Sequence, residues 1–406
     1  MTADRAIARP RRTPVRDAWQ SFRQRISDGD LGAAPVMIGL IAIWAVFYAL
    51  NPRFLASGNL ANLALQSAAV GTIALGVVLV LLLGQIDLSI GSISGLSAAV
   101  LAVTFAQQGW PLAVSVLASL AVGAVIGALY GFLLTRFGVP SFVITLAGLL
   151  GILGLQLWVL GPAGSINLPF DSLPVRFAQQ MFVPDALSYV LVAIAAAVYL
   201  LSRYAVARRR LQAGLSATPL TEIAVRTALL LAALLGGTWY LNTSRGVGVM
   251  FVVFIALVAV VHYLLTRTSW GRSIYAVGGN TEAARRAGIR VNRVYITVFM
   301  AGTTLAACGG LLAAARLASA NQSSGGGDTN LTAIAAAVIG GTSLFGGRGN
   351  AWSALLGILV IMSISSGLTL LSLDSSVRYM VTGLVLLLAV TVDSLSRRSR
   401  ASHGKA

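Results

Sequence analysis

Long apolar runs alternate with short polar gaps along the whole chain, and the runs are too long and too uniform for the one-sided helices of a soluble domain. A helix needs roughly 20 residues to cross an apolar layer. Runs of that order occur at 33–50, 63–83, 88–106, 111–134, 141–160, 186–201, 223–241, 247–265, 294–315, 331–345, 352–373 and 378–392. Arginine fills alternate gaps. Arg203, Arg208, Arg209 and Arg210 follow the sixth run, and Arg267, Arg272, Arg285, Arg286, Arg290 and Arg293 follow the eighth. Arg397, Arg398, Arg400 and Lys405 close the chain. Basic residues gather in cytoplasmic loops, so this pattern predicts both termini inside and leaves only Arg53, Arg176, Arg245, Arg316 and Arg378 outside. The expected fold is an all-α polytopic integral membrane protein with about 10 to 12 transmembrane helices in one bundle. Some of these are expected to be broken or re-entrant, since 331–345 is short and flanked by glycine.

Composition narrows the chemistry. Of 406 residues, 57% are hydrophobic and 10% charged, against about 25% charged in a soluble domain. The net charge of +17 would suit a nucleic-acid binder, but the arginines are placed as topology determinants and no nucleic-acid partner is expected. A single cysteine, Cys308, excludes an internal disulfide and argues against a cysteine metal site. The chain divides into a cytoplasmic basic tail (1–32), a transmembrane domain (33–393) with a cytoplasmic segment at 266–293, and a cytoplasmic tail (394–406). A surface-lying helix is expected near Trp19 and Phe22. The surrounding lipid is the expected medium.

Three stretches break the apolar pattern. In Leu81–Gly95, LLLGQIDLSIGSISG, Asp87 is the sole acid between Asp30 and Asp171, with Ser89, Gly91 and Ser92 around it. A carboxylate in hydrocarbon is costly and marks a cavity, a protein contact or a break. Asp87 is read as a hinge between two helical pieces, able to cap the second; a simple polar turn is the alternative. In Trp270–Asn292, Asn280 or Thr281 can start a short helix with Glu282 in its first turn, Ala283 and Ala284 as helix formers and Gly288 as the stop. Such a helix would fit a groove on a soluble partner. In Ser319–Asn350, Gly340, Gly341 and Thr342 belong to a close-packed or broken helix. Its glycines are no phosphate loop, because Walker A needs a lysine and the sole lysine is Lys405.

Other features concern packing. Gly123, Gly127 and Gly131 form one small-residue face, and Gly148, Gly151 and Gly154 a second. The segment 161–185 is the longest outward one, read as either an ordinary loop or a docking surface.

GQIDLSIGS at 84–92, YAVGGNTEAARRAGI at 275–289 and LTAIAAAVIGGTSLFGGRG at 331–349 together resemble the permeases of bacterial ABC importers for monosaccharides, among them the ribose and xylose transporters. The resemblance implies a transport subunit of the bacterial inner membrane with no catalytic residues, no metal and no cofactor of its own. It further implies a second permease copy, a cytoplasmic ATP-binding protein that consumes ATP, and an extracytoplasmic sugar-binding protein. Position by position, Gly279, Asn280, Glu282, Ala283, Ala284 and Gly288 would couple to the ATPase. Asp87, Ser89, Gly91, Ser92, Gly340, Gly341 and Thr342 would line the substrate path or form its hinge. Family members often carry an acid where Asn330 stands. The extra length before the coupling segment looks like the xylose form, so D-xylose is favoured over ribose, galactose, arabinose and related sugars. An ATP-independent secondary transporter or channel is the rival reading.

Overall fold

The computed structural model describes residues 34–391 apart from 378, 386, 389 and 390. Both terminal tails, the expected Trp19 helix and Arg378 lie outside the described residues. Helix α1 (Ala34–Leu50) leads through a 3-10 turn into α2 (Ser57–Leu82). Next come α3 (Ile90–Leu101), which continues as a π-helical turn over Ala102–Gln107, then α4 (Leu112–Phe137) and α5 (Ser141–Leu160). Strand β1 (Ser165–Asn167) and the short α6 (Leu173–Gln179) follow. The chain then forms α7 (Asp185–Gln212), α8 (Leu220–Asn242) and α9 (Val249–Arg267). After these stand two short helices, α10 (Ser269–Gly279) and α11 (Thr281–Arg286), and the long α12 (Val291–Leu317). Strand β2 (Ser319–Asn321), α13 (Gly327–Ile339) and α14 (Trp352–Leu370) complete the named elements.

Among the described residues, nine helices are long and apolar enough to cross a membrane, with α1 and α13 as shorter apolar helices. The bundle is therefore all-α and polytopic, as the runs predict. Where helix and run differ, polarity explains it. Helix α7 extends past Leu201 to Gln212, because arginine is a good helix former and favourable in a last turn. The run at 331–345 is cut at Ile339, where Gly340 and Gly341 end the helix.

Helix α2 is the axis of the bundle, buried along nearly all of its last 20 residues against α9, α12, α13 and α14. In lipid there is little hydrophobic drive between helices, so small residues that allow close van der Waals approach decide which helices pair. The Gly123, Gly127 and Gly131 face does this. A methyl at any of the three would press on Thr303, Phe299 or Ile296 of α12. Gly148 is also in tight contact, whereas Gly151 and Gly154 face open space, so the second predicted face is used at one position only.

Segment 161–185 is an organised cap. Strand β1 pairs antiparallel with β2, Ile166 opposite Ala320, and a small apolar cluster including Ala98, Leu160, Ile166 and Ala320 lies beneath. Gln179 Nε2 donates to the Arg316 carbonyl at 2.8 Å, and Phe182 bridges to Gly248. Arg245 ties this cap to α2, donating to Asn62 Oδ1 and to the Gln179 carbonyl.

Candidate functional site

The break between α2 and α3 is built around Asp87, which is 3% exposed. Its Oδ1 accepts from the Ser89 backbone N–H at 2.8 Å and from Ser89 Oγ at 2.7 Å. Ser89 precedes the first helical residue of α3, so Asp87 closes a local turn onto the N-cap residue rather than capping the free amides inside the helix. Its Oδ2 is buried without a protein hydrogen-bond partner among the described residues. Tyr130 Oη on α4 donates to Ser89 Oγ at 2.9 Å, which completes a chain from α4 through Ser89 to Asp87. Gly148 on α5 makes room for that hydroxyl, since a methyl there would overlap it.

Gly84 and Gln85 still bond back to carbonyls of α2, but the Ile86 and Leu88 N–H groups lie past the helix and take side-chain partners from α5, as lipid cannot supply them. Leu88 N–H donates to Thr145 Oγ1 on α5 at 3.1 Å, and the Leu88 carbonyl accepts from Asn330 Nδ2 on α13 at 2.6 Å. Gly91 permits this approach: a methyl on it would sit 2.6 Å from the Gly325 carbonyl and 3.0 Å from Asn330 Cβ. Ser92 Oγ donates to the Leu149 carbonyl at 3.1 Å. Asp87, Ser89, Gly91 and Ser92 are thus brought together, all buried in helix contacts.

Gly340, Gly341 and Thr342 stand elsewhere, just past the end of α13. Gly340 packs against the Ser353 carbonyl of α14, and Thr342 is folded over Gly349. Gly341 takes φ +100° and is open. No hydrogen bond joins these three to Asp87 among the described residues. They connect to the break through the loop that follows them. Gly347 N–H donates to the Leu82 carbonyl at the end of α2, at 2.9 Å. Gly278, near the end of α10, fits over the same Leu82 carbonyl, where a methyl would overlap that oxygen and reach 2.8 Å from Gly347 N. Gly84 has φ +71° and lies under the Phe345 carbonyl. Three segments far apart in sequence therefore meet backbone to backbone at one glycine junction, three residues from Asp87.

The short helices α10 and α11 extend from that junction. Tyr275 Oη on α10 donates to the Gly349 carbonyl at 2.8 Å, and burial raises its pKa and keeps the proton on this donor. Asn280 caps α11, its side chain accepting from Ala283 N–H at 2.9 Å, and Gly288 ends the turn at φ +83°. Glu282 pairs with Arg285 and Arg286 on the exposed surface. Gly279, Asn280, Glu282, Ala283 and Gly288 are exposed, while Ala284 is buried in the core. Ala284 therefore seats α11 on the bundle, and its neighbours form the outward surface.

Tyr130, Thr145, Gly148 and Asn330 are the site residues that sequence reasoning did not assign a role in the break. Gly148 carried a signal as a member of a glycine repeat, and Asn330 as a position where the resembling family often has an acid; Tyr130 and Thr145 carried none.

A polytopic bundle with an interrupted helix at its centre and a capped helix seated at one end is compatible with a membrane transport subunit. The chain belongs to the family described as branched-chain amino acid transport system / permease component, whose model matches residues 59–390. It is 35% identical over 366 residues to the xylose transport system permease protein XylH of Escherichia coli (strain K12), covering 90% of this chain and 91% of that protein. It is 32% identical to the ribose import permease protein RbsC of the same strain, with 88% and 92% covered. It is 29% identical to the fructose import permease protein FrcC of Rhizobium meliloti, with 91% and 87% covered. No solved structure gives a significant match. Membership of a permease-component family makes the chain a transport subunit and not an enzyme.

Proposed function

We propose that this chain is the membrane-spanning subunit of an ABC sugar importer, that its sugar is D-xylose, and that the glycine junction carries the motion of the ATPase to the break at Asp87. The importer class rests on the relatives, all sugar permeases by name, matched over most of their length. D-xylose is favoured by the higher identity to the xylose permease than to the ribose or fructose permeases, and by the resemblance of the sequence before the coupling segment to the longer, xylose form.

The observation that carries the mechanism is the junction itself. The exposed α11 surface receives an ATP-binding partner, and α10 is bonded to the 343–349 loop and packed on the end of α2. Displacement of α11 then moves the end of α2 relative to α3 and α13, which are linked across the break by the hydrogen bond from Asn330 to the Leu88 carbonyl and by the close approach of Gly91 to Gly325 and Asn330. ATP is consumed by that partner, and this chain holds no cofactor. Two copies enclose the path. The α10 and α11 end is cytoplasmic in the inner membrane, with both termini on that side, and the β1–β2 cap faces a sugar-binding protein.

Uptake of labelled D-xylose at low concentration, in cells with and without this gene, tests the reading, with unlabelled ribose, galactose and arabinose as competitors. Loss of ATP-dependent uptake on deletion, with little competition, is the expected result. Strong competition keeps the importer and broadens the sugar. Unchanged uptake, with redundant xylose carriers removed, contradicts the D-xylose assignment.

A further inference from the structure

Helices α7 and α8 lie against each other and are covered little by the rest of the bundle. Between them is a cavity of about 60 Å³ lined by Arg203, Arg210, Arg226, Tyr199, Thr218 and Ala207. Arg203 and Arg210 are seven residues apart on α7, two turns along one face, and Arg226 reaches in from α8. Glu222 pairs with Arg226. Arg203 stacks on the Tyr199 ring, 5.3 Å from its centroid, and Arg210 Nε donates to the Ser216 carbonyl at 2.9 Å. Neither Arg203 nor Arg210 has a carboxylate within ion-pair distance among the described residues. Two guanidinium groups thus converge on one cavity, and among the described residues its nearest carboxylate, Glu222, is spent on Arg226.

The depth of the cavity says what supplies their counter-charge. At 1.5 Å per residue, Arg203 lies roughly 27 Å along α7 from Asp185, close to the thickness of the hydrocarbon layer, about 30 Å. Below it the hairpin is apolar and outward-facing, with Ile194, Val198 and Leu201 exposed on α7 and Val225 and Leu229 on α8. An anion that fits an arginine fork and also carries acyl chains would satisfy both parts. We infer that the α7–α8 cavity binds the phosphate of an anionic phospholipid, with its chains on the apolar face of the hairpin. The site is independent of the solute carried.

Native mass spectrometry and thermal unfolding of the purified full chain at physiological ionic strength test this, with phosphatidylglycerol, phosphatidylcholine or inorganic phosphate added. Phosphatidylglycerol is expected to bind roughly tenfold more tightly than phosphatidylcholine, and inorganic phosphate not to replace it. Combining Arg203→Gln with Arg210→Gln should weaken phosphatidylglycerol binding roughly 25-fold, each arginine counting for roughly fivefold. Arg208→Gln with Arg209→Gln, exposed and outside the cavity, should change it less than about twofold. Arg210→Gln alone, expected at roughly fivefold, serves if the double variant does not assemble. Equal binding of both lipids, equal loss in both arginine pairs, or displacement by inorganic phosphate at the same concentration overturns the inference.

Discussion

Gly347 donates its backbone N–H to the carbonyl of Leu82 at 2.9 Å, across a separation that spans most of the bundle's sequence. With Gly278 seated on the same carbonyl, this contact places the end of α2, the segment before α11 and the late glycine loop in one point of backbone contact. No side chain intervenes between these backbones, which is the geometry the proposed coupling requires.

The break at Asp87 should depend on its turn more than on its charge alone. Asp87→Ala removes the acceptor for two buried Ser89 donors, at a cost of about 1–3 kcal/mol. The variant is expected to reach the membrane in reduced amount and to lose most uptake per molecule. Surface quantification beside sugar uptake checks this, and normal uptake per molecule would remove the hinge role.

Tyr130 and Gly148 should be energetically coupled. Tyr130→Phe forfeits one hydrogen bond to Ser89, about 1 kcal/mol. Gly148→Ala forces a methyl into the Tyr130 hydroxyl and is expected to cost about 1–3 kcal/mol through overpacking. Removing the hydroxyl relieves part of that overlap, so the double variant should be more stable than the sum of the singles predicts. Additive losses in thermal unfolding would refute the contact.

Glu282→Lys should separate folding from partner binding. Its two ion pairs are exposed and contribute little to stability, so the thermal midpoint should hold. Co-purification of the ATP-binding subunit should fall, because the one negative side chain of α11 becomes positive beside Arg285 and Arg286. Undiminished co-purification would count against α11 as the docking helix.

Much of this arrangement is legible in the amino-acid sequence. Apolar run length locates the helices, and the fourfold glycine spacing at Gly123, Gly127 and Gly131 marks a close helix approach, because both are properties of one segment alone. Asn280 and Gly288 likewise declare the ends of α11 locally. The β1–β2 pairing is illegible, since neither three-residue strand has a pattern of its own and their partnership is set by α5 and α12. The same reason blurs the glycine repeat at Gly148, Gly151 and Gly154, of which only one member has a neighbour. Asp87 signals a break and its turn onto Ser89 is local, but the Tyr130 hydroxyl that holds Ser89 comes from another helix and leaves no mark in the sequence around Asp87.

If the glycine junction couples α10 to α2, Gly278→Ala should uncouple ATP hydrolysis from uptake. In proteoliposomes holding this chain and its ATP-binding subunit, with the sugar-binding protein supplied at the β1–β2 face, ATP hydrolysis and ATP-dependent D-xylose uptake would be measured together. A methyl at Gly278 pushes the Leu82 carbonyl away, and an overpacking cost of about 1–3 kcal/mol falls on the contact that links α10 to α2. The ATP-binding subunit is expected to stay bound and hydrolyse ATP while uptake drops by roughly tenfold or more. Uptake and hydrolysis both at the wild-type level would contradict the coupling.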